Sequence, residues 1–228
     1  MANYCNNTLK VVGTKKDIDN FLMENTSVSS SYYPNKDGKY ELDVELDFEK
    51  VIPTPKKENG EDIDNWYEWR LENWGTKWNV SSTFSFSVKR LSKEEDKVEL
   101  FTAFETPWSP PHGIFNKLVD KYKDTTLELT MEYYEGGVGF AGECSATEGE
   151  IIEEKYYEHN KDKEEYLIYI IEKEHEALDW LDEYLCECME EDGIEDEIID
   201  QISLEFNKFY KRKDFKSAAQ LFLAKAKY

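Results

Sequence analysis

The chain has 228 residues, with 50 acidic against 28 basic side chains and a formal net charge of −22. A surface of that sign should repel a duplex, which argues against non-specific nucleic-acid binding, and the lack of a polybasic segment or an apolar span of ~20 residues argues against a membrane partner. Hydrophobic residues at 39% and aromatics at 14% are too many for a disordered chain, and the length suffices for a core without disulfides.

Residues 1–20 carry neither the basic start nor the apolar stretch of a secretory signal. The four cysteines, Cys5, Cys144, Cys186 and Cys188, are too scattered for a disulfide framework. The expectation is reduced thiols and a cytoplasmic setting.

Asn7 to Val12 reads as a strand, stopped at Gly13-Thr14, which can cap a helix. Ile18, Phe21 and Leu22 then stand at helical spacing. From Tyr40 to Phe48 the residues alternate, with Tyr40, Leu42, Val44, Leu46 and Phe48 on one face and acids on the other, which predicts a half-buried strand. Trp66, Trp69, Arg70, Asn73 and Trp74 form a helical stripe that ends at Gly75. Thr83 to Val88 alternates again, Leu100 to Phe104 is a further strand, and Pro107 to Pro111 breaks it. His112 to Tyr122 reads as a helix and Leu127 to Tyr133 as a strand. Gly136, Gly137, Gly139 and Gly142 make a turn, with Phe140 to Tyr157 returning as a hairpin. The order predicts an α+β fold: a ferredoxin-like sandwich with an antiparallel sheet over residues 1–158, carrying one inserted Trp-rich helix.

The blocks MANYCNNTLKVVG, FEKVIPTP, WYEWRLENWGTKWN, FETPWSPP and GVGFAGE resemble the YubB-like ferredoxin-like domain family of phages and plasmids over about residues 1–150. The resemblance implies that fold and a mobile-element origin. It implies no reaction, so no catalytic residue is carried over.

No motif for chemistry stands out. His112 lies beside a Pro-Pro turn, while His159 and His175 sit on a charged stretch without cysteines at ligand spacing, so no metal is expected. The glycines at 136–142 follow a Tyr-Tyr strand and precede no helix, which fits a turn and not a phosphate cradle. Glu190-Glu191-Asp192-Gly193 lacks the closing glutamate of a calcium loop, since residue 199 is Ile. No cofactor is expected. The aromatic cluster Trp66, Trp69, Trp74, Trp78 and Trp108 reads as core packing, with base stacking as the competing reading.

From residue 161 onward the pattern is helical, through Leu167, Ile170, Ile171, Leu178, Leu181 and Leu185, then from Ile198 to Tyr210, then after Asp214 as an N-cap. This acidic helical extension, 161–228, holds most of the excess charge. Residues 172–200 contain fourteen acids and one base, Lys173. Glu172, Glu176, Asp179, Glu183, Glu187 and Glu190 recur every three or four residues and form one ridge on a helix, with Asp182, Glu191, Asp192, Glu195, Asp196 and Glu197 as a second set. Such a ridge is either a solvated face or a mimic of nucleic-acid phosphates. The functional expectation is a non-enzymatic inhibitor of a host nucleic-acid-handling defence complex, anti-CRISPR-like. Its partner is a basic protein or ribonucleoprotein, not nucleic acid itself. A nucleic-acid-binding accessory module using the aromatics is the alternative, and an unrecognised hydrolase a third.

Overall fold

The computed structural model describes residues 3–30, 42–92, 96–173, 204–206 and 208–225. Strand β1 (Tyr4–Thr14) turns Cys5, Asn7, Leu9 and Val11 into the core at period two. Thr14 then accepts a hydrogen bond from the Asp17 backbone N–H at 3.2 Å, capping α1 (Lys15–Asn25), which buries Ile18 and Phe21. Asn25 at its end donates to Phe21 O at 2.8 Å and to Tyr122 Oη at 2.6 Å.

The elements that follow are β2 (Thr26–Ser30), β3 (Leu42–Leu46), α2 (Phe48–Val51), α3 (Trp66–Trp74), β4 (Ser82–Ser92) and β5 (Lys97–Pro107). Then come α4 (His112–Lys121), β6 (Glu128–Glu135), β7 (Phe140–Thr147), β8 (Glu150–Glu158), α5 (Lys163–Lys173) and α6 (Phe215–Lys225). The main sheet has the order β4-β5-β1-β6-β7-β8, with β4–β5, β5–β1 and β1–β6 antiparallel. β1, α1, β4, β5, α4 and β6 are therefore one βαββαβ unit with the first and third strands central, the ferredoxin-like arrangement.

One local expectation needs correction. The strand expected over Tyr40–Phe48 ends at Leu46, because Asp47 accepts a bond from Glu49 N at 3.1 Å and caps α2, which begins at Phe48. Its described part also stands outside the main sheet, paired with β2. The hairpin expected over Phe140–Tyr157 is present as β7 and β8, which turn where Glu148 and Gly149 take positive φ of 51° and 77°.

Chain contacts group Met1–Val138 with Gly142–Lys155 in one compact unit, and Gly139–Ala141 with Tyr156–Tyr228 in a second. The core of the first is built from Leu9, Phe48, Trp74, Leu100, Phe104, Ile114 and Phe115, with Phe48 set edge-on to both Trp74 and Phe104. In the second, α5 buries Leu167, Ile170 and Ile171 and packs against α6. Asp214 accepts from Ser217 N at 3.2 Å, as expected of an N-cap. No described helix is long and apolar enough to cross a membrane.

Candidate functional site

The Trp-rich helix α3 is fastened by one cation. The Arg70 guanidinium donates to Glu49 Oε1 at 2.9 Å, Asp62 Oδ2 at 3.0 Å and Thr54 Oγ1 at 3.0 Å. Its plane also lies over the rings of Trp74 and Trp66, at 4.7 Å and 5.1 Å from their centroids. Glu49 further accepts from Thr54 N and Oγ1, so the carboxylate ties α2, the following loop and α3 together. Hydrogen bonding from Lys56, with Arg70 adding its charge, holds the Asp62 carboxyl below the usual carboxylate range. Trp74 is 0% exposed and donates its indole N–H to Ile52 O at 2.8 Å. Gly75 closes the helix at φ 85°, where a Cβ would stand 3.0 Å from both His112 N and Pro110 O.

The other tryptophans differ from Trp74. Trp66, Trp69 and Trp78 are half-buried, and Tyr67 and Leu71 are exposed one helical turn apart. Lys77 reaches over the rings of Trp78 and Tyr67 at 4.5 Å and 5.4 Å.

Trp108 is 48% exposed at φ +68°, a strained position for a bulky residue. A closed set of bonds fixes this turn. Thr106 Oγ1 donates to Ser109 O at 2.8 Å, Ser109 Oγ to Gly75 O at 2.6 Å, and Thr76 Oγ1 to Pro107 O at 3.0 Å. Asn7 adds a bond to Thr106 Oγ1 at 2.8 Å, and the Trp108 N–H donates to Asn3 O at 3.0 Å. Strain that persists in so determined a setting marks a residue to test for function. Elsewhere, buried Glu135 accepts from the backbone N–H of Gly137 and Val138, closing the glycine turn.

One arrangement looks catalytic on paper. His112 Nδ1 lies 3.7 Å from Cys144 Sγ, and the imidazole stands edge-on to Tyr133 at 5.0 Å. Burial, then the charges of Glu154 and Glu143, push the Cys144 thiol up to about 11. Burial lowers the His112 imidazole, against an opposing pull from Glu154. Burial thus disfavours the charged form of both groups, whereas the thiolate–imidazolium pair of a cysteine nucleophile needs that form favoured. Among the described residues no group of three or more His, Cys, Asp or Glu is placed to hold a metal ion.

The sequence-derived ridge meets the described structure at one residue: Glu172, exposed on α5 with Leu167, Ile170 and Ile171 buried. Glu176, Asp179, Asp182, Glu183, Glu187, Glu190, Glu191, Asp192, Glu195, Asp196 and Glu197 lie outside the described residues, as do His175, Cys186 and Cys188. The presentation of Trp108 was not expected. Its only sequence signal is the Thr-Pro-Trp-Ser-Pro-Pro run, in which prolines restrict the backbone on both sides.

Residues 74–180 match the family model described as the ferredoxin-like domain in Api92-like protein. Among solved structures, the crystal structure of a protein api92 from Yersinia pseudotuberculosis is similar at 11% identity. That likeness covers 69% of this chain and 98% of the other, with a TM-score of 0.45. No curated protein matches the chain.

Proposed function

We propose that this chain is a non-catalytic binding protein that occupies a basic, nucleic-acid-handling partner, with the acids of residues 172–200 standing in for phosphates. The observation that carries the reading is their spacing: fourteen acids against one base, with Glu172, Glu176, Asp179, Glu183, Glu187 and Glu190 at three- and four-residue intervals. Carboxylates at that interval stand ~5–6 Å apart on a helix, a row of like charges similar in kind to, though wider than, the ~3.4 Å per charge along one nucleic-acid strand. α5 supports it, since its apolar residues face inward and Glu172 faces out. The resemblance to the YubB-like family suggests a phage or plasmid setting. There a host defence complex that grips nucleic acid, such as a CRISPR effector, is the natural target.

The test is capture of the partner from host lysate by wild-type protein and by a variant carrying Glu176→Gln, Asp179→Asn, Glu183→Gln and Glu187→Gln. The expected result is salt-sensitive capture that DNA competes away and that the variant loses. Undiminished capture by the variant would falsify the mimicry.

The exposure of Trp108, with Trp66, Trp69 and Trp78 half-buried, favours a second reading, in which the aromatics stack single-stranded bases. It predicts quenching of tryptophan fluorescence by single-stranded oligonucleotides at low salt, and a flat titration there eliminates it.

A further inference from the structure

We propose that β4 is the self-pairing edge of the protein, and that its occupant is β4 of a second copy of this chain, antiparallel and centred on Phe86. β4 is eleven residues long, stands at the end of the main sheet and has β5 as its ladder partner. Among the described residues no second strand pairs with it, so its outer edge presents a row of backbone N–H and C=O groups that a further strand can use. Phe84, Val88 and Leu91 are 61%, 51% and 43% exposed. The strand contains no proline and no acid.

The sequence of the strand selects the occupant. Phe84-Ser85-Phe86-Ser87-Val88 alternates apolar and hydroxyl residues identically in both directions. A two-fold interface requires that self-complementarity, because each residue meets its own counterpart pattern. With Phe86 opposite Phe86 of the second copy, Phe84 faces Val88, an aromatic against a β-branched side chain. Ser85 faces Ser87. Both are favourable cross-strand pairs.

The charges agree with that register. Lys89 would face Thr83, and Arg90 would face Ser82. Registers centred on Lys89 or Arg90 place like charges directly opposite and are disfavoured. The ladder with β5 slips between Thr83 and Ser85, where Phe84 is the extra residue of a bulge, and again between Arg90 and Ser92, so the regular stretch, Ser85 to Arg90, contains the proposed centre and Phe84 stands at its edge. Common devices that protect an edge, a bulge at Phe84 and the lysine at 89, flank the proposed centre and leave Ser85 to Val88 between them free of both. An unrelated extended peptide could use the same hydrogen bonds, but nothing would then call for the palindrome.

Salt separates this contact from the partner binding proposed above. Two chains of net charge −22 repel at long range, so screening favours the dimer, whereas it weakens capture of a basic partner. Sedimentation of the full chain over a concentration series at low and raised salt is expected to show monomer and twice the chain mass in equilibrium, with the dimer gaining on salt addition. Phe84→Lys with Val88→Lys sets lysine opposite lysine and is expected to leave only monomer. Unchanged circular dichroism would show that these exposed positions did not affect folding.

Register is read by mild oxidation in a Cys186→Ser, Cys188→Ser background, where the remaining Cys5 and Cys144 are buried. Phe86→Cys should give a covalent dimer, and Val88→Cys should not. The proposal fails if wild type stays monomeric at every concentration and salt, or if the lysine pair leaves a dimer intact. It also fails if cross-linking occurs at 88 and not at 86, or if β4 amides gain protection from exchange only on adding a different protein.

Discussion

β4 and β5 are adjacent, antiparallel and eleven residues long, and both alternate in sequence. β5 buries Val98, Leu100, Thr102, Phe104 and Thr106, every second residue, while β4 buries none. The difference lies in what covers them. α1 packs against β1 and β5, and Phe48 of α2 sits edge-on to Phe104. Beyond β5, the main neighbour of β4 is the short strand β3. Alternation thus reports the pleat of a strand, whereas its burial is decided by helices that come from elsewhere in the chain.

The comparison breaks first at Phe104. Phe104→Ala removes a ring packed against Phe48 in the core, and the expected loss of stability is ~3–5 kcal/mol, read by urea unfolding. If Phe104→Ala cost no more than a surface change, the helix layer would not be what distinguishes the two strands.

A smaller effect is expected at Arg70, which anchors the covering layer and not the sheet. Arg70→Met removes the bonds to Glu49, Asp62 and Thr54 and the contact over Trp74. Glu49 and Asp62 keep 31% and 29% of their side-chain surface in water, which tempers the loss to ~1–3 kcal/mol. Arg70→Lys should recover only part of it, because a single ammonium nitrogen cannot also supply the separate Nε bond to Thr54 or lay a flat group on indole. Full recovery by lysine would reduce the site to simple charge pairing.

Next comes pH. His112 is lowered by burial, so the unfolded chain binds the proton more readily than the folded one between the folded value and the ordinary value of 6.5. Stability should therefore fall as pH drops below 6.5. His159 is lowered for the same first reason, with Lys163 adding to it, and contributes the same sign. The depressed carboxylates Glu24, Asp62, Asp120 and Glu158 act further down, losing their contribution as pH falls through their folded values. A His112→Gln variant should show a shallower, not flat, decline of melting temperature with acidification below 6.5. An unchanged slope would place the titration elsewhere.

How much of this was legible follows the same physical line. Local patterns gave β1, α1, α3, α4 and β6, because each has its own periodicity, and Thr14 and Gly75 mark where α1 begins and α3 ends. The pairing of β3 with β2 was not legible, since five residues of Thr26–Ser30 carry one apolar side chain, Val28. Nor was the Arg70 hub, whose partners Glu49, Thr54 and Asp62 lie 8 to 21 residues away and share no spacing rule. Among the aromatics, composition grouped Trp74 with Trp108, and only the fold separates an indole in the core from one held at the surface. The acidic ridge belongs to sequence spacing alone beyond Glu172.

The smallest effect sharpens the comparison most. Phe84→Thr with Val88→Thr removes two exposed apolar groups from β4 and keeps a residue that favours strands, so dilute monomer should lose no more than ~0.5 kcal/mol. At high concentration the result should differ. A chain that pairs through β4 gains stability by mass action, so wild-type melting temperature rises with concentration and the variant's does not. Parallel rises in both proteins would mean that any association uses another surface. A large loss at dilution would mean that Phe84 and Val88 already serve the fold. Either result would erase the contrast between a strand whose alternation is consumed by helices and one whose alternation stays available to a second copy.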